Sequence, residues 1–425
     1  MRSQSYYAAD ENGLSEAEIA RALDLFLLEQ KGPLKKVLLI PPDFTRLHSN
    51  AGRITQLLYQ MLSPACRVDI LPALGTHVPV SPSEWAAMFG TIPYDRMIVH
   101  HFRSDIIKVG EVPGDFVRQV SEGLMDAPIP VEINKHILDP SYSLILSIGQ
   151  VVPHEVAGMA NYTKNIVIGC GGADMISSSH MLGAFYGMER VMGRAQNPVR
   201  AVFDYAQEHF LNKLPLQYIL TVTSAPGGRV STHGLFLGSG RSVFHNAAKL
   251  AAKKNITVIE KPIQKAVVFL DEQEFKSTWL GNKAVYRTRM AIADGGELVI
   301  LAPGVDKFGE DSAIDALIRK YGYRGREPVL NLVKEEEDLK NNLSAAAHLI
   351  HGSSEGRFQI TYCTRHLTRG EVEGVGYGYL PYENAVKRYS PEKFLEGWNT
   401  LPGGEEIYFI ENPALGLWME KKRME

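Results

Sequence analysis

Cysteine is scarce in this chain: three residues, Cys66, Cys170 and Cys363, stand far apart among 425. No CxxC pair occurs, which excludes a disulfide scaffold and a cysteine-rich metal site and suits a reducing compartment. No run of eighteen apolar residues is present to span a bilayer. The first residues, "MRSQSYYAADENG", lack a long apolar stretch, so no signal peptide is expected. Excess charge is missing too: 45 basic against 48 acidic residues leave a formal net charge of -3. That argues against a general nucleic-acid or membrane-surface binder. Neither HExxH nor the phosphate-binding GxxxxGK[ST] occurs. A cytoplasmic α/β protein without nucleic-acid or membrane partners is therefore expected.

What is present is a large apolar fraction, 45% of the residues, ample for a sizeable core and for more than one domain. Ser15 and Glu18 have capping-box spacing before "IARALDLFLLEQ" (19–30), where Ile19, Ala22, Leu23, Phe26 and Leu27 share a helical stripe. "KVLLI" (36–40) is a short apolar run stopped by two prolines, as in a buried strand. "RITQLLYQML" (53–62) reads as a helix, "VDILPAL" (68–74) as a strand, and "SPSEWAAMFG" (81–90) as a helix capped by Ser81. "RMIVHHF" (96–102), "YSLILSIG" (142–149) and "NIVIG" (165–169) are predicted as further strands. The alternation points to an α/β fold, with two α/β domains and an active-site cleft between them. The domains are placed at 1–218, binding a cofactor, and 219–399, on the substrate side. The segment 400–425 either returns to the first or ends the second.

In α/β folds, ligands sit beyond the carboxyl ends of strands. Four segments carry reactive residues at such places: "PPDFTRLH" (41–48), "GTHVP" (75–79), "VVPHEVAG" (151–158) and "SAPGG" (224–228). Asp43 and Arg46 offer a carboxylate and a rigid cationic fork, or simply a pair holding a turn. His77 stands between turn residues and suits proton transfer near neutral pH. Lys164 is a point charge, or a nucleophile if desolvated. "GCGG" (169–172) resembles a phosphate-cradling turn. From these residues alone the chain reads as an enzyme for a small acidic or phosphorylated ligand. A zinc hydrolase using His77, His154 and His180 also fits, because three imidazoles and a water suit catalytic zinc.

"HEVAG", then "NYTKNIVIG", then His180 resembles the signature of the lactate racemase family, whose members use a nickel-pincer nucleotide. The intervals from His154 to Lys164 and on to His180 match, and "DFTR" and "GTHVP" resemble two further motifs of that family. The resemblance is firm over 36–190. It implies that Lys164 holds the pincer nucleotide covalently and that His180 is the protein ligand of nickel. It implies that His77 and His154 are the acid/base pair, that Arg46 contacts substrate, and that Asp43, with Gly171 and Gly172, helps to hold the cofactor. The implied activity is racemisation or epimerisation at C2 of a 2-hydroxy acid by reversible hydride transfer. Separate biosynthetic proteins would supply the cofactor.

The family's tyrosine–glutamine pair and following lysine have an imperfect counterpart in "SVFHNAAKLAAKK". Phe244 and His245 stand for the pair, Ala248 stands for the lysine, and Lys249 is adjacent. His245 and Lys249 are the substrate-side candidates. "RVSTHGLFLGSG" (229–240) reads as an insertion that brings His233 and Arg241 towards a longer substrate. The expected substrate is therefore not lactate but a sugar (aldonic) acid. A non-catalytic, ligand-binding member of the family is the remaining alternative.

Overall fold

A computed structural model describes residues 3–225 and 229–424, apart from the Leu415 side chain. Pro226, Gly227 and Gly228 of "SAPGG" lie outside the described residues. The chain divides into two compact units, 1–182 with 191–255, and 183–190 with 256–425.

The first unit is built on a six-stranded sheet. Its strands are β1 (Gln4–Tyr7), β2 (Lys36–Ile40), β3 (Arg67–Ile70), β6 (Leu144–Gln150), β9 (Leu216–Ser224) and β10 (Ser231–Gly238). A hairpin of β4 (Ile106–Val112) with β5 (Ile129–Asn134) and a small pair, β7 (Pro153–His154) with β8 (Gly158–Met159), lie outside this sheet. The order across the sheet is β1-β10-β9-β6-β2-β3. β3, β2, β6 and β9 run parallel; β10 is antiparallel to β9, and β1 is antiparallel to β10.

The apolar run of β2 is explained by burial on both faces. Side chains alternate across a strand. Val37 and Leu39 enter the core formed with helices α1 (Glu16–Leu28), α2 (Ala51–Leu62) and α3 (Pro82–Phe89). Leu38 and Ile40 enter the opposite core. That core takes in α4 (Gly114–Val120), α5 (Thr163–Val167), α6 (Ala173–Tyr186), α8 (Pro198–Ala206) and α9 (Arg241–Asn255); the short α7 (Met188–Val191) follows α6. The predicted capping box forms at Ser15–Glu18, and the predicted cap Ser81 forms a second box with Glu84.

Three sequence expectations are corrected here. "NIVIG" is not a strand: its first residues belong to α5, since a short apolar run is compatible with either element. "RMIVHHF" joins no strand and makes only an isolated bridge from Met97 to Ile70. The supposed insertion 229–240 is mostly β10, a buried strand between β1 and β9. Its phenylalanine and leucines divide between the two cores, Phe236 on one side and Leu235 and Leu237 on the other.

β10 also explains why the first unit runs past 218 to Asn255: β9, β10 and α9 complete its sheet and core. The second unit has β11 (Thr257–Ile259), β12 (Ile263–Phe269), β13 (Ile292–Ala302), β14 (Gln359–Thr364), β15 (Gly378–Pro381), β16 (Gly397–Thr400), β17 (Glu406–Ile410) and β18 (Trp418–Glu420). Its six-stranded sheet has the order β15-β14-β13-β12-β17-β16, with only β16 antiparallel. Residues 400–425 belong to this unit, because β17 pairs with β12 and β18 with β11. Among the described residues no helix is long and apolar enough to cross a membrane.

Phe236 is fully buried. Phe236→Ala is expected to destabilise the first unit by about 3–5 kcal/mol, whereas Val230→Ala, at a partly exposed position just before β10, changes little; thermal unfolding of the two variants checks this.

Candidate active site

Every candidate residue falls in the first unit, His245 and Lys249 included, so these two do not belong to a separate substrate-side domain. The site grows from the order of the parallel strands. From β2 the chain moves to β3 on one side, then returns to place β6 on the other. At such a reversal the connections leave in opposite directions and open a crevice at the carboxyl ends of the strands.

β2 ends at Pro41 and Pro42 and runs into a 3-10 turn, Phe44–Ser49, which starts after Asp43 and carries the exposed Arg46. β3 leads to a turn at Gly75, where φ is +57° and the amide donates to the Gly169 carbonyl at 2.8 Å. Two residues on, His77 meets Asp43 through a short contact of Nδ1 with Oδ2. The Thr45 hydroxyl donates to the other carboxylate oxygen at 2.6 Å. Burial alone would raise the Asp43 pKa; the hydrogen bonds from His77 and Thr45 and the nearby Arg46 charge outweigh it and hold the carboxyl below its ordinary value. The imidazole is left exposed with Nδ1 engaged by a carboxylate, which presents the lone pair of Nε2.

After β6, β7 brings in His154, which is 8% exposed. Its Nδ1 accepts from the amides of Val156 at 3.1 Å and Ala157 at 3.3 Å. A nitrogen that accepts two N–H groups carries no proton in the neutral ring, so the proton sits on Nε2. His77 and His154 thus hold opposite tautomers.

Lys164 lies in the short α5, and its neighbour Asn165 fastens that helix to the sheet. The Asn165 carboxamide donates to the Ile40 carbonyl at 3.2 Å and the Ser147 hydroxyl at 3.0 Å. Ile40 and Ser147 are the last paired rung of β2 and β6, so Asn165 sits astride the crevice. Just before α5, Asn161 and Tyr162 both have positive φ, +62° and +60°. Such conformations cost about 1–3 kcal/mol each in a non-glycine residue and gather at functional sites. Burial first, and then the Arg46 charge, push the Lys164 ammonium down to about 8. Its Nζ has no hydrogen-bond or ion-pair partner among the described residues. Asn165 and the strained pair went unread in the sequence, although they flank the lysine within the "NYTKN" motif.

His180, on α6, donates from Nδ1 to the Ile176 carbonyl at 2.6 Å. That leaves Nε2 as a lone pair, the state a metal ligand needs. Burial keeps its pKa below the ordinary value and so favours the neutral ring. His77, His154 and His180 do not converge: among the described residues no three histidine, cysteine or carboxylate side chains could hold one metal ion. The zinc-hydrolase reading loses its ligand set. A single imidazole lone pair and a lysine amine that sheds its proton easily do fit a group that brings most of its own metal donors and is attached through an amine.

Gly171 and Gly172 are corrected. The four amides of Gly169–Gly172 donate to the carbonyls of Lys164, Ile166, Ile168 and Glu132, so none is left to cradle a phosphate. The Glu132 side chain also stands beside Gly172, where burial and the Asp174 charge raise its pKa. These glycines serve close packing instead: a Cβ on Gly171 would lie 1.8 Å from the Val167 carbonyl oxygen. The buried His100 donates from Nε2 to the Gly171 carbonyl at 3.1 Å and steadies the same turn.

The substrate-side candidates separate. His245 and Lys249 are one turn apart on an exposed face of α9, while Phe244 and Ala248 face the core. His245 joins Arg241, Asp204, Glu208 and Arg200 around a pocket of about 490 Å³ in this unit. Arg241 pairs with Asp204 at 3.4 Å and Glu208 at 2.9 Å. His233 is no substrate residue: it is buried in β10, with Nε2 2.7 Å from the Ser224 hydroxyl.

Gly171→Ala is expected to destabilise by about 2–4 kcal/mol because backbone must move. Gly172→Ala is expected to cost less, since its closest neighbour, 2.1 Å from the added Cβ, is the end of the Glu132 side chain. Urea unfolding of both variants checks the order.

Residues 10–193 match the family described as the lactate racemase N-terminal domain. No curated protein matches the chain. A crystal structure of a Thermotoga maritima protein matches with a TM-score of 0.80 and 23% identity, covering 97% of this chain and 100% of that one. The lactate racemase apoprotein from Thermoanaerobacterium thermosaccharolyticum matches with a TM-score of 0.68 and 16% identity, covering 97% of this chain and 96% of that one. At these identities the two structures show a shared α/β fold. Residues 10–193 thus match the lactate racemase N-terminal domain, and the rest of the chain shares the α/β fold of the two structures.

Proposed function

We propose that the chain is an isomerase that inverts C2 of a 2-hydroxy carboxylic acid with the nickel-pincer nucleotide as cofactor. The observation that carries this reading is the set of protonation states at one crevice. They are a Lys164 ammonium pushed down to about 8, an imidazole lone pair on His180, and a carboxylate-backed imidazole at His77.

Lys164 would hold the cofactor and His180 Nε2 would ligate its nickel. Nickel accepts imidazole and soft donors. Hydride acceptance from C2 is the chemistry that the bound group supplies. It suits this substrate class, because a hydrogen beside a carboxylate is a poor acid, and its removal as a proton would place a second negative charge next to the first.

The chain's own residues manage the hydroxyl. His77 takes its proton at Nε2, and Asp43 stabilises the imidazolium, as a carboxylate does behind any such base. His154 would hydrogen-bond the oxygen through Nε2–H as charge develops there, and the proton held by His77 would return to that oxygen when the hydrogen is restored to C2. Arg46 orients the substrate through its fork. A sugar acid, which would be epimerised at C2 alone, is the proposed substrate class; neither the segment 229–240 nor the pocket beside His245, whose lining includes none of Asp43, Arg46, His77, His154, Lys164 and His180, adds support for it.

Chain produced in cells that make the cofactor is expected to show a mass adduct on Lys164 and bound nickel. It is expected to invert C2-deuterated 2-hydroxy acids with deuterium retained. Loss of deuterium to solvent would replace hydride transfer by proton abstraction, and turnover of lactate alone would sink the sugar-acid reading. An adduct-free, nickel-free chain beside a loaded control would leave a ligand-binding protein.

Asp43→Asn is expected to lower kcat by about 10²–10⁴ with little change in KM. Because the Asp43 pKa is lowered in the folded chain, its carboxylate stabilises the fold above about pH 4, and that contribution is lost as pH falls further. The acid limb of stability should therefore be shallower in Asp43→Asn, read by denaturation across pH 2–6.

A further inference from the structure

Arg200 lies on α8, is 2% exposed, and has no carboxylate within ion-pair distance among the described residues. A buried cation is costly, so what compensates it matters. One nitrogen donates to the Met159 carbonyl at 2.6 Å, and both terminal nitrogens reach the Asn161 carbonyl at 3.3 Å. Its guanidinium lies 4.1 Å over the Phe244 ring. Nε has no partner. Burial pushes even this guanidinium down to about 10. Carbonyls and a ring face thus make the close contacts, while the buried Asp204 one turn on supplies opposite charge beyond ion-pair distance.

The carbonyls it grips belong to the segment leading into α5. Asn161 is the first of the two positive-φ residues, and Tyr162 is the second. Tyr162 is pinned from another side: its ring stacks on Phe244 at 5.5 Å, and its hydroxyl donates to the Ser239 carbonyl at 3.2 Å. Phe244 therefore links Arg200 to the turn a second time.

We propose that Arg200 is a positioning residue for Lys164: it clamps the strained Asn161–Tyr162 turn that aims the lysine, and it places a fixed positive charge near the amine without neutralising it. Its purpose rests on the reading of Lys164 as cofactor anchor, since an amine must be unprotonated to form a bond. The charged and titratable groups that act on Lys164 are Arg46, Glu155, Asp43, His180 and Arg200. Arg46 and Arg200 favour the neutral amine, while Glu155 and Asp43 oppose it. A lysine at position 200 could supply the charge but not the two-carbonyl grip of the fork.

The test is competitive acetylation of the cofactor-free chain with acetic anhydride from pH 6 to 11, followed by peptide mapping. Wild-type Lys164 should be half-labelled well below the surface lysines. Arg200→Met should move that midpoint up and reduce labelling at pH 8 at least about threefold. Arg200→Lys should keep the midpoint nearer wild type but change the limiting rate at pH 10.5, where charge no longer matters and orientation does. If Arg200→Met does not fold, the limiting rate in Arg200→Lys decides.

Unchanged midpoint and limiting rate in a folded variant, or a wild-type midpoint among the surface lysines, would overturn the proposal. Labelling needs no cofactor, so the two readings fail separately. A shifted midpoint without any adduct in loaded cells keeps the positioning role and removes the cofactor reading. An adduct with labelling indifferent to Arg200 does the reverse.

Discussion

The last rung of β2 and β6 carries the site. There the parallel strands part, and one carboxamide, that of Asn165, binds the Ile40 carbonyl of one strand and the Ser147 hydroxyl of the other. Because Asn165 follows Lys164, the short helix that carries the lysine is tied directly to the sheet. The same crevice receives Asp43 and Arg46 from the end of β2, His77 from beyond β3 and His154 from beyond β6. Strand order therefore does what no local motif could. It brings together residues up to about a hundred positions apart at the carboxyl ends of parallel strands.

Protonation is then controlled by hydrogen bonds and burial more than by net charge. His77 has its Nδ1 engaged by a carboxylate, His154 by two amides, and His180 by a carbonyl. The second nitrogen therefore differs from ring to ring: a lone pair in His77, an N–H in His154 and a lone pair in His180. Lys164 is desolvated, which together with the Arg46 charge favours its neutral form. Distinct tautomers and a desolvated amine thus arise from residue types that in water would behave far more alike.

Much of the framework was legible. Continuous apolar runs such as "KVLLI" and "LILSIG" can be satisfied only between two covered faces, and Ser15–Glu18 and Ser81–Glu84 close their helices locally. The spacing of His154, Lys164 and His180 likewise survives as a readable pattern, because these residues lie on consecutive short elements. β10 was obscured because "STHGLFLG" opens with polar residues, yet its position between β1 and β9 buries all of it. "NIVIG" was misread because a few apolar residues look the same in a strand and in one turn of helix. "GCGG" looked like an anion cradle because glycines admit both uses; its amides are in fact taken by neighbouring carbonyls.

By itself, then, the sequence determined the α/β alternation, the caps and the inventory of reactive side chains, since these follow from periodicity and from contacts within a few residues. Only the tertiary structure decided that β10 and α9 complete the first unit and that His77 finds Asp43. It alone decided that, among the described residues, the three histidines form no common metal cluster, and that the buried Arg200 grips the turn before Lys164. Those outcomes depend on which carbonyls, amides and charges are brought close by long-range packing. A side chain's tautomer or charge state is a property of that surrounding, not of the residue.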